Sequence, residues 1–137
     1  MPKNPYQAYE AASKTANLSG RELEAHILTK AAQKLIECKN NWVFDKNGKN
    51  AEAFRNLEIK LFEALRYNQQ IWSVFQGELV KPDNPLPLNL RESLLNLSIF
   101  IDKRVLEIMG NPVPEKLQII IDINLNIAAG LRNSPQM

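Results

Sequence analysis

Asn68 and Asn124 are the polar residues of this chain whose positions raise a question of chemistry. Asn68 lies inside the series Leu57, Leu61, Leu65, Asn68, Trp72, Phe75 and Leu79, whose steps of three and four residues mark one face of a long helix. Asn124 sits among Ile119, Ile120, Ile121, Ile123, Leu125, Ile127 and Leu131. A carboxamide on an apolar face must find hydrogen-bond partners or lose about 1–3 kcal/mol. Three sets of partners are open: the other amide, a backbone, or the backbone of a bound peptide.

Catalytic chemistry has little to work with. His26 and Cys38 are the only histidine and the only cysteine, so a zinc site built from His and Cys is excluded by counting. A Ser-His-Asp triad would need His26, and no GxSxG elbow accompanies it. The five glycines form neither GxGxxG nor GxxxxGK, so no phosphate cradle is visible. Glu22, Glu24, Asp102 and Asp122 lie on helical stripes beside Lys and Arg and read as solvated ion pairs. The chain therefore reads as non-enzymatic, with no metal and no cofactor. The lone cysteine admits no internal disulfide and fits a reducing compartment.

A net charge of +2 and a pI near 8.7 make the chain mildly basic, which does not call for nucleic acid. Arg21, Lys30 and Lys34 could share part of one helix face, with Lys46, Lys49, Arg91, Lys103 and Arg104 elsewhere. Acidic residues are interleaved throughout, and no aromatic-basic RNA motif appears. Direct RNA binding is disfavoured. No apolar run approaches the length of a membrane span, and "MPKNPYQAYEAASKTA" has no apolar signal core. A soluble cytoplasmic protein is expected. Its 137 residues suit a single domain over 1–137 that needs no staples.

The elements that must position the amides are helical. Asn4 and Pro5 suit the start of a short helix from Pro5 to Thr15 that carries Tyr6 and Tyr9. Ser19 and Glu22 form a capping box for a helix over Gly20 to Lys39, whose face is Leu23, Ile27, Ala31 and Leu35, widened by Leu28, Ala32 and Ile36. "NNWVFDKNGKN" reads as a loop in which Trp42, Val43 and Phe44 cover a core edge. A third helix, with Asn50 as its cap, runs from Ala51 to Glu78, about 40 Å at 1.5 Å per residue. "VKPDNPLPLNL" carries three prolines and must be a linker. Leu90, Leu94, Leu97, Ile101, Val105 and Ile108 then mark a fourth helix with Gly110 just past its end. Pro114 is placed to open the last.

That last segment, "IIIDINLNIAAGLR", alternates like a strand from Ile119 to Ile127. A lone strand would leave its backbone unpaired in a helical chain, and "IAAGLR" is helix chemistry. As a helix it aligns Gln118, Asp122 and Asn126 in one wet stripe and leaves Asn124 within a wide apolar arc. The fold expected is all-α, a compact bundle of about five helices without a sheet.

Five strings in order carry a family resemblance: "YQAY" from Tyr6, "RELE" from Arg21, the N-x-x-x-W-x-x-F pattern from Asn68 to Phe75, "LSIF" from Leu97 and "IDINLNIAAGLR" from Ile121. Together, over about Tyr6 to Arg132, they resemble the flagellar biosynthesis regulator FlaF of alphaproteobacteria. The resemblance implies an all-helical cytoplasmic protein required for flagellin production and flagellum assembly. It implies a secretion chaperone or positive regulator acting with flagellin, at its C-terminal region, and opposite the repressor FlbT. The physics of such a task is helix-in-groove packing, with apolar anchors at i, i+3, i+4 and i+7. The expected groove is bordered by Asn68, Trp72 and Phe75 on one helix and Ile123, Asn124 and Ile127 on another. Tyr67, Trp72, Phe75, Tyr6 and Tyr9 are of the kind that anchors interfaces when exposed. The competing reading of these residues and of the groove residues is that they are core. The competing expectations are a regulator of flagellin mRNA working with or against FlbT, and a helical adaptor unrelated to flagella.

Overall fold

A computed structural model describes residues 20–44 and 48–133. Among them the chain forms four α-helices and no strand: α1 (Gly20–Asn40), α2 (Ala51–Leu79), α3 (Leu88–Gly110) and α4 (Leu117–Asn133). The all-α expectation holds. Four of the about five expected helices lie among the described residues; the helix expected over Pro5 to Thr15 lies outside them, as does Ser19 of the expected capping box.

Helix α1 owes its form to the stripe read from the sequence. Leu23, Ile27, Leu28, Ala31, Ala32 and Leu35 are all buried, and Cys38 closes the row as a small core residue. Three of the buried positions on α1 are alanines, at 25, 31 and 32. Such short side chains permit close helix approach, and α1 makes its broadest contact with α4. Helix α4 confirms the helical reading of the alternating segment. Asp122 and Asn126 are exposed, Gln118 is half-buried and donates to Asp122 Oδ1 at 2.8 Å, and Ile120, Ile121 and Asn124 are buried. Lys39 at the end of α1 also donates to Gln118 Oε1, which joins the two helices at their rim.

Helix α2 buries the expected seam: Leu57, Leu61, Leu65, Asn68, Trp72 and Leu79, with Phe75 half-buried. Its start departs from expectation, because Asn50 makes no side-chain cap and instead ends a 3₁₀ turn, Gly48–Asn50. That turn opens with Gly48 at φ 62°, a left-handed conformation that glycine adopts without strain. In the preceding loop Trp42 and Val43 pack on the core as expected, whereas Phe44 is 79% exposed.

The proline-rich linker stops α2 at Leu79 and starts α3 at Leu88, as its chemistry requires. Asn84 holds the corner. Its Nδ2 donates to Glu78 O at 2.9 Å, and its Oδ1 accepts from Leu86 N at 3.0 Å. Gly110 proves to be the last helical residue of α3 rather than a left-handed stop, and Asn111 supplies the closing backbone N–H, to Glu107 O. Pro114 then begins a short 3₁₀ turn, Pro114–Lys116, that leads into α4.

Helix α3 is anchored unevenly. Ser98, Ile101, Val105 and Ile108 in its C-terminal half are buried, and Gln76 of α2 donates to Asp102 at 3.2 Å. In its N-terminal half Leu94 and Leu97 are half-buried, and Leu90 is 43% exposed. The stripe read as core is core in its second half alone. Helix α3 leans on α2 and touches α4 sparsely. The asymmetry predicts unequal mutational costs. Ile108→Ala should lower unfolding free energy by ~2–5 kcal/mol, and Leu90→Ala by roughly 0.5 kcal/mol or less. Denaturant melts read both, and equal losses would show α3 to be anchored along its whole length.

Candidate functional site: an amide relay beneath an apolar cleft

The helices α1, α2 and α4 meet at a chain of hydrogen bonds in the core. Trp72 Nε1 donates to Asn124 Oδ1 at 2.9 Å. Asn124 Nδ2 donates to Asn68 Oδ1. Asn68 Nδ2 in turn donates to Ala64 O, one turn back on α2, at 2.8 Å, and to Ala31 O of α1 at 3.3 Å. Both asparagines are 0% exposed and Trp72 is 1% exposed.

The direction of the relay follows from one group. An indole N–H can donate and never accept. It therefore turns the oxygen of Asn124 toward itself and the nitrogen toward Asn68. Asn68 must then present its oxygen, which leaves its nitrogen for the carbonyls. The i, i+4 spacing of Asn68 and Trp72 places both on one face of α2, one turn apart, as the donor and acceptor positions require. Of the three sets of partners open to the two amides, the structure uses two: each other, and the backbone.

Above the relay lies a cleft of about 160 Å³ lined by Trp72, Phe75 and Leu79 of α2, Leu86 of the linker, Leu94 of α3, and Ile127 and Leu131 of α4, with Glu24, Glu78 and Asn84 at its polar edge. It opens into a wider mouth of about 610 Å³ that adds Gly20, Arg21, Pro85, Leu90, Asn126 and Gly130. The cleft exists because the proline linker swings the start of α3 away from the end of α4. Phe75 stands edge-on to Trp72, with ring centroids 5.6 Å apart and planes at 87°. This edge-to-face contact, added to the hydrogen bond from the indole, fixes Trp72 as the cleft's floor.

The six residues expected to border a groove separate into two groups. Trp72, Phe75 and Ile127 line the cleft. Asn68 and Asn124 lie wholly beneath it and present no surface, and Ile123 is half-buried and packs against the core. Sequence reasoning missed Leu94 and Leu131 as lining because their spacing marks them simply as core. It also missed Glu24, read as part of a solvated stripe. A signal was present: Glu24 stands at helical steps before Ile27, Leu28, Ala31 and Leu35 and beside Leu23, so it borders the buried stripe.

Burial pushes the Glu24 carboxyl above its ordinary value of 4.5; nearby Arg21 draws it partly back, and the like charge of Glu78 pushes it up again. Glu24 makes no hydrogen bond and no ion pair among the described residues. Glu78, by contrast, pairs with Lys81 at 2.9 Å in an exposed contact, which stabilises little. A second depression, of about 270 Å³ between α1 and α2, is lined by Lys34, Glu37, Cys38 and Lys60 among others. Burial, and then Glu37, raises the Cys38 pKa, which keeps it a thiol. No group of three or more His, Cys, Asp or Glu among the described residues could hold a metal ion.

A family model described as "Flagellar protein FlaF" matches residues 5–131, nearly the whole chain. The chain belongs to the FlaF family. No curated protein and no solved structure matches it. The match takes in both asparagines, Trp72 and every residue of the cleft. No helix among the described residues of this FlaF chain is long and apolar enough to cross a membrane.

Two outcomes follow from the geometry. Asn124→Leu strands the Trp72 N–H and the Asn68 oxygen in the core, each at about 1–3 kcal/mol, so it should destabilise markedly. Asn68→Leu with Asn124→Leu should cost less than the sum of the single changes, because both remove the same bond. A double-mutant cycle by chemical denaturation measures the coupling, and strict additivity would break the relay into unrelated contacts. The second outcome concerns Glu24. Its folded pKa lies above its unfolded one, so its contribution to stability is complete below about pH 4.5 and is lost as pH rises through the folded value. Glu24→Gln should therefore raise the melting temperature at pH 7 and lose that advantage in acid. Thermal melts from pH 3 to 8 would contradict this if the variant were less stable at neutral pH.

Proposed function

We propose that the protein binds flagellin as a non-catalytic secretion chaperone and positive regulator of flagellin synthesis, and that the cleft receives an amphipathic helix from flagellin's C-terminal region. The observation that carries the reading is the apolar cleft between α2, α3 and α4 in a chain of a flagellar protein family. Its lining offers a fixed aromatic floor and aliphatic walls on two sides, the form that accepts a helix by its apolar face. A preformed floor lowers the ordering cost that such a segment meets on binding. Regulation opposite FlbT, by sequestration of flagellin or by direct contact, is part of the same proposal.

The roles follow from position. Trp72, Phe75 and Ile127 make contact, Ile123 supports the wall, and Asn68 and Asn124 hold the floor without touching the partner. Co-purification with flagellin is the primary test, repeated with flagellin lacking its C-terminal segment. A stable complex that needs that segment is expected. Leu90→Glu, at a half-exposed position in the mouth, should weaken it about tenfold or more, near 1.4 kcal/mol, without lowering the melting temperature. Absence of any complex with flagellin would sink the reading, and salt-sensitive capture of flagellin mRNA in its place would turn it toward RNA regulation.

A further inference from the structure

The cleft is not uniformly apolar, and the carboxylate at its edge says something about the occupant. Glu24 projects from the first turns of α1 to the edge of the cleft, in the company of Trp72, Phe75 and Leu131. It is half-buried and carries no hydrogen bond or ion pair among the described residues. The charged groups that line the cleft and its mouth are Arg21 from α1 and Glu78 from α2, and Lys81 of the linker is held by Glu78. Arg21 attracts Glu24 without forming an ion pair with it, and Glu78 repels it. A carboxylate taken partly out of water beside a second carboxylate is costly unless a cation reaches it. Among the described residues none does.

We propose that the cleft selects an amphipathic helix with a lysine or arginine beside its apolar anchors, and that Glu24 is the specificity-determining residue that receives this cation. The choice of occupant rests on charge complementarity: an acidic edge against an apolar floor fits a basic amphipathic segment and rejects an acidic one. An arginine or lysine stem would lie along the apolar lining while its head reaches the carboxylate. Rejection is the stronger half of the device, because an acidic helix would bury a third carboxylate against Glu24 and Glu78. This deepens the flagellin reading, on which it rests for the identity of the natural partner, though the selection itself can be tested without flagellin.

The probes are two synthetic 16-residue helical peptides with the same leucine spacing, one with lysines and one with glutamates flanking the leucines. Binding to the full chain is read by fluorescence anisotropy at neutral pH and moderate salt. The lysine peptide should bind at least about tenfold more tightly than its glutamate twin. Glu24→Gln should erase most of that preference, and Glu24→Lys should reverse it. A preference that survives Glu24→Lys, equal binding of the two peptides, or no binding of either overturns the proposal. Binding of the lysine peptide only after removal of residues 1–19 assigns the cleft to the chain's own N-terminal segment and also overturns it. So does a dimer of the chain that closes the cleft and is not displaced by the peptide. The two readings fail separately. Lysine-peptide preference without any flagellin complex removes flagellin and keeps the selection. A flagellin complex that Leu90→Glu breaks but Glu24→Lys leaves intact keeps flagellin and removes the selection.

Discussion

The indole N–H of Trp72 is a donor with one bond to give, and in a dry core it must give it. That single constraint orders the three-helix centre of the protein. It fixes which atom of Asn124 faces α2, which atom of Asn68 faces α4, and which amide hydrogens remain for the carbonyls of Ala64 and Ala31. A purely apolar contact between α2 and α4 could slide by a turn with modest loss, since leucine and isoleucine repack. The relay cannot slide, because a shift of either helix would strand an amide at 0% exposure. It thus acts as a register pin, much as a single buried asparagine sets the alignment of coiled-coil strands.

Rigidity at the relay permits looseness beside it. Trp72 is held by a hydrogen bond below and by Phe75 at its edge, so the floor of the cleft does not depend on α3. Helix α3 is then free to rest on α2 through its second half, with its first half held off by the linker and by the Asn84 corner. The apolar residues left at the divide are Leu90, Leu94, Ile127 and Leu131. Had α3 closed on α4, they would have formed ordinary core and no cleft would exist. The cost of the open arrangement is apolar surface left wet, about 25 cal/mol for each Å², which a docked helix would recover.

Much of this was legible in the sequence, and the limits have physical causes. The helices from Gly20 onward were readable because three- and four-residue steps recur over long stretches. The amides could be identified as a problem of satisfaction, since any asparagine on an apolar arc must be answered for. That they answer each other, with Trp72 as the source of direction, needs the relative placement of α2 and α4, which one-dimensional spacing does not contain. The same limit explains Leu94 and Glu24. Spacing says that a residue shares a face, and says nothing of whether a second helix arrives to cover that face. Phe44 and Gly110 failed for a more local reason: an aromatic in a loop and a glycine near a helix end each admit several conformations of similar energy.

Glu24 joins these lines of argument. A stable core would be served better by a neutral or apolar residue at that turn of α1, because the carboxylate is half-buried beside Glu78 and unpaired among the described residues. Natural sequences depart from local consistency chiefly where function requires it. The departure here falls at the edge of a cleft whose floor, Trp72, is held by a hydrogen bond and an edge-on ring, and beside Leu23 in the first turns of the stripe that seats α1 in the bundle. A carboxylate that lowers stability when the cleft is empty and gains a partner when it is filled couples occupancy to stability through a single charge. The coupling is reciprocal by linkage: whatever cation lowers the cost of Glu24 binds more tightly for doing so.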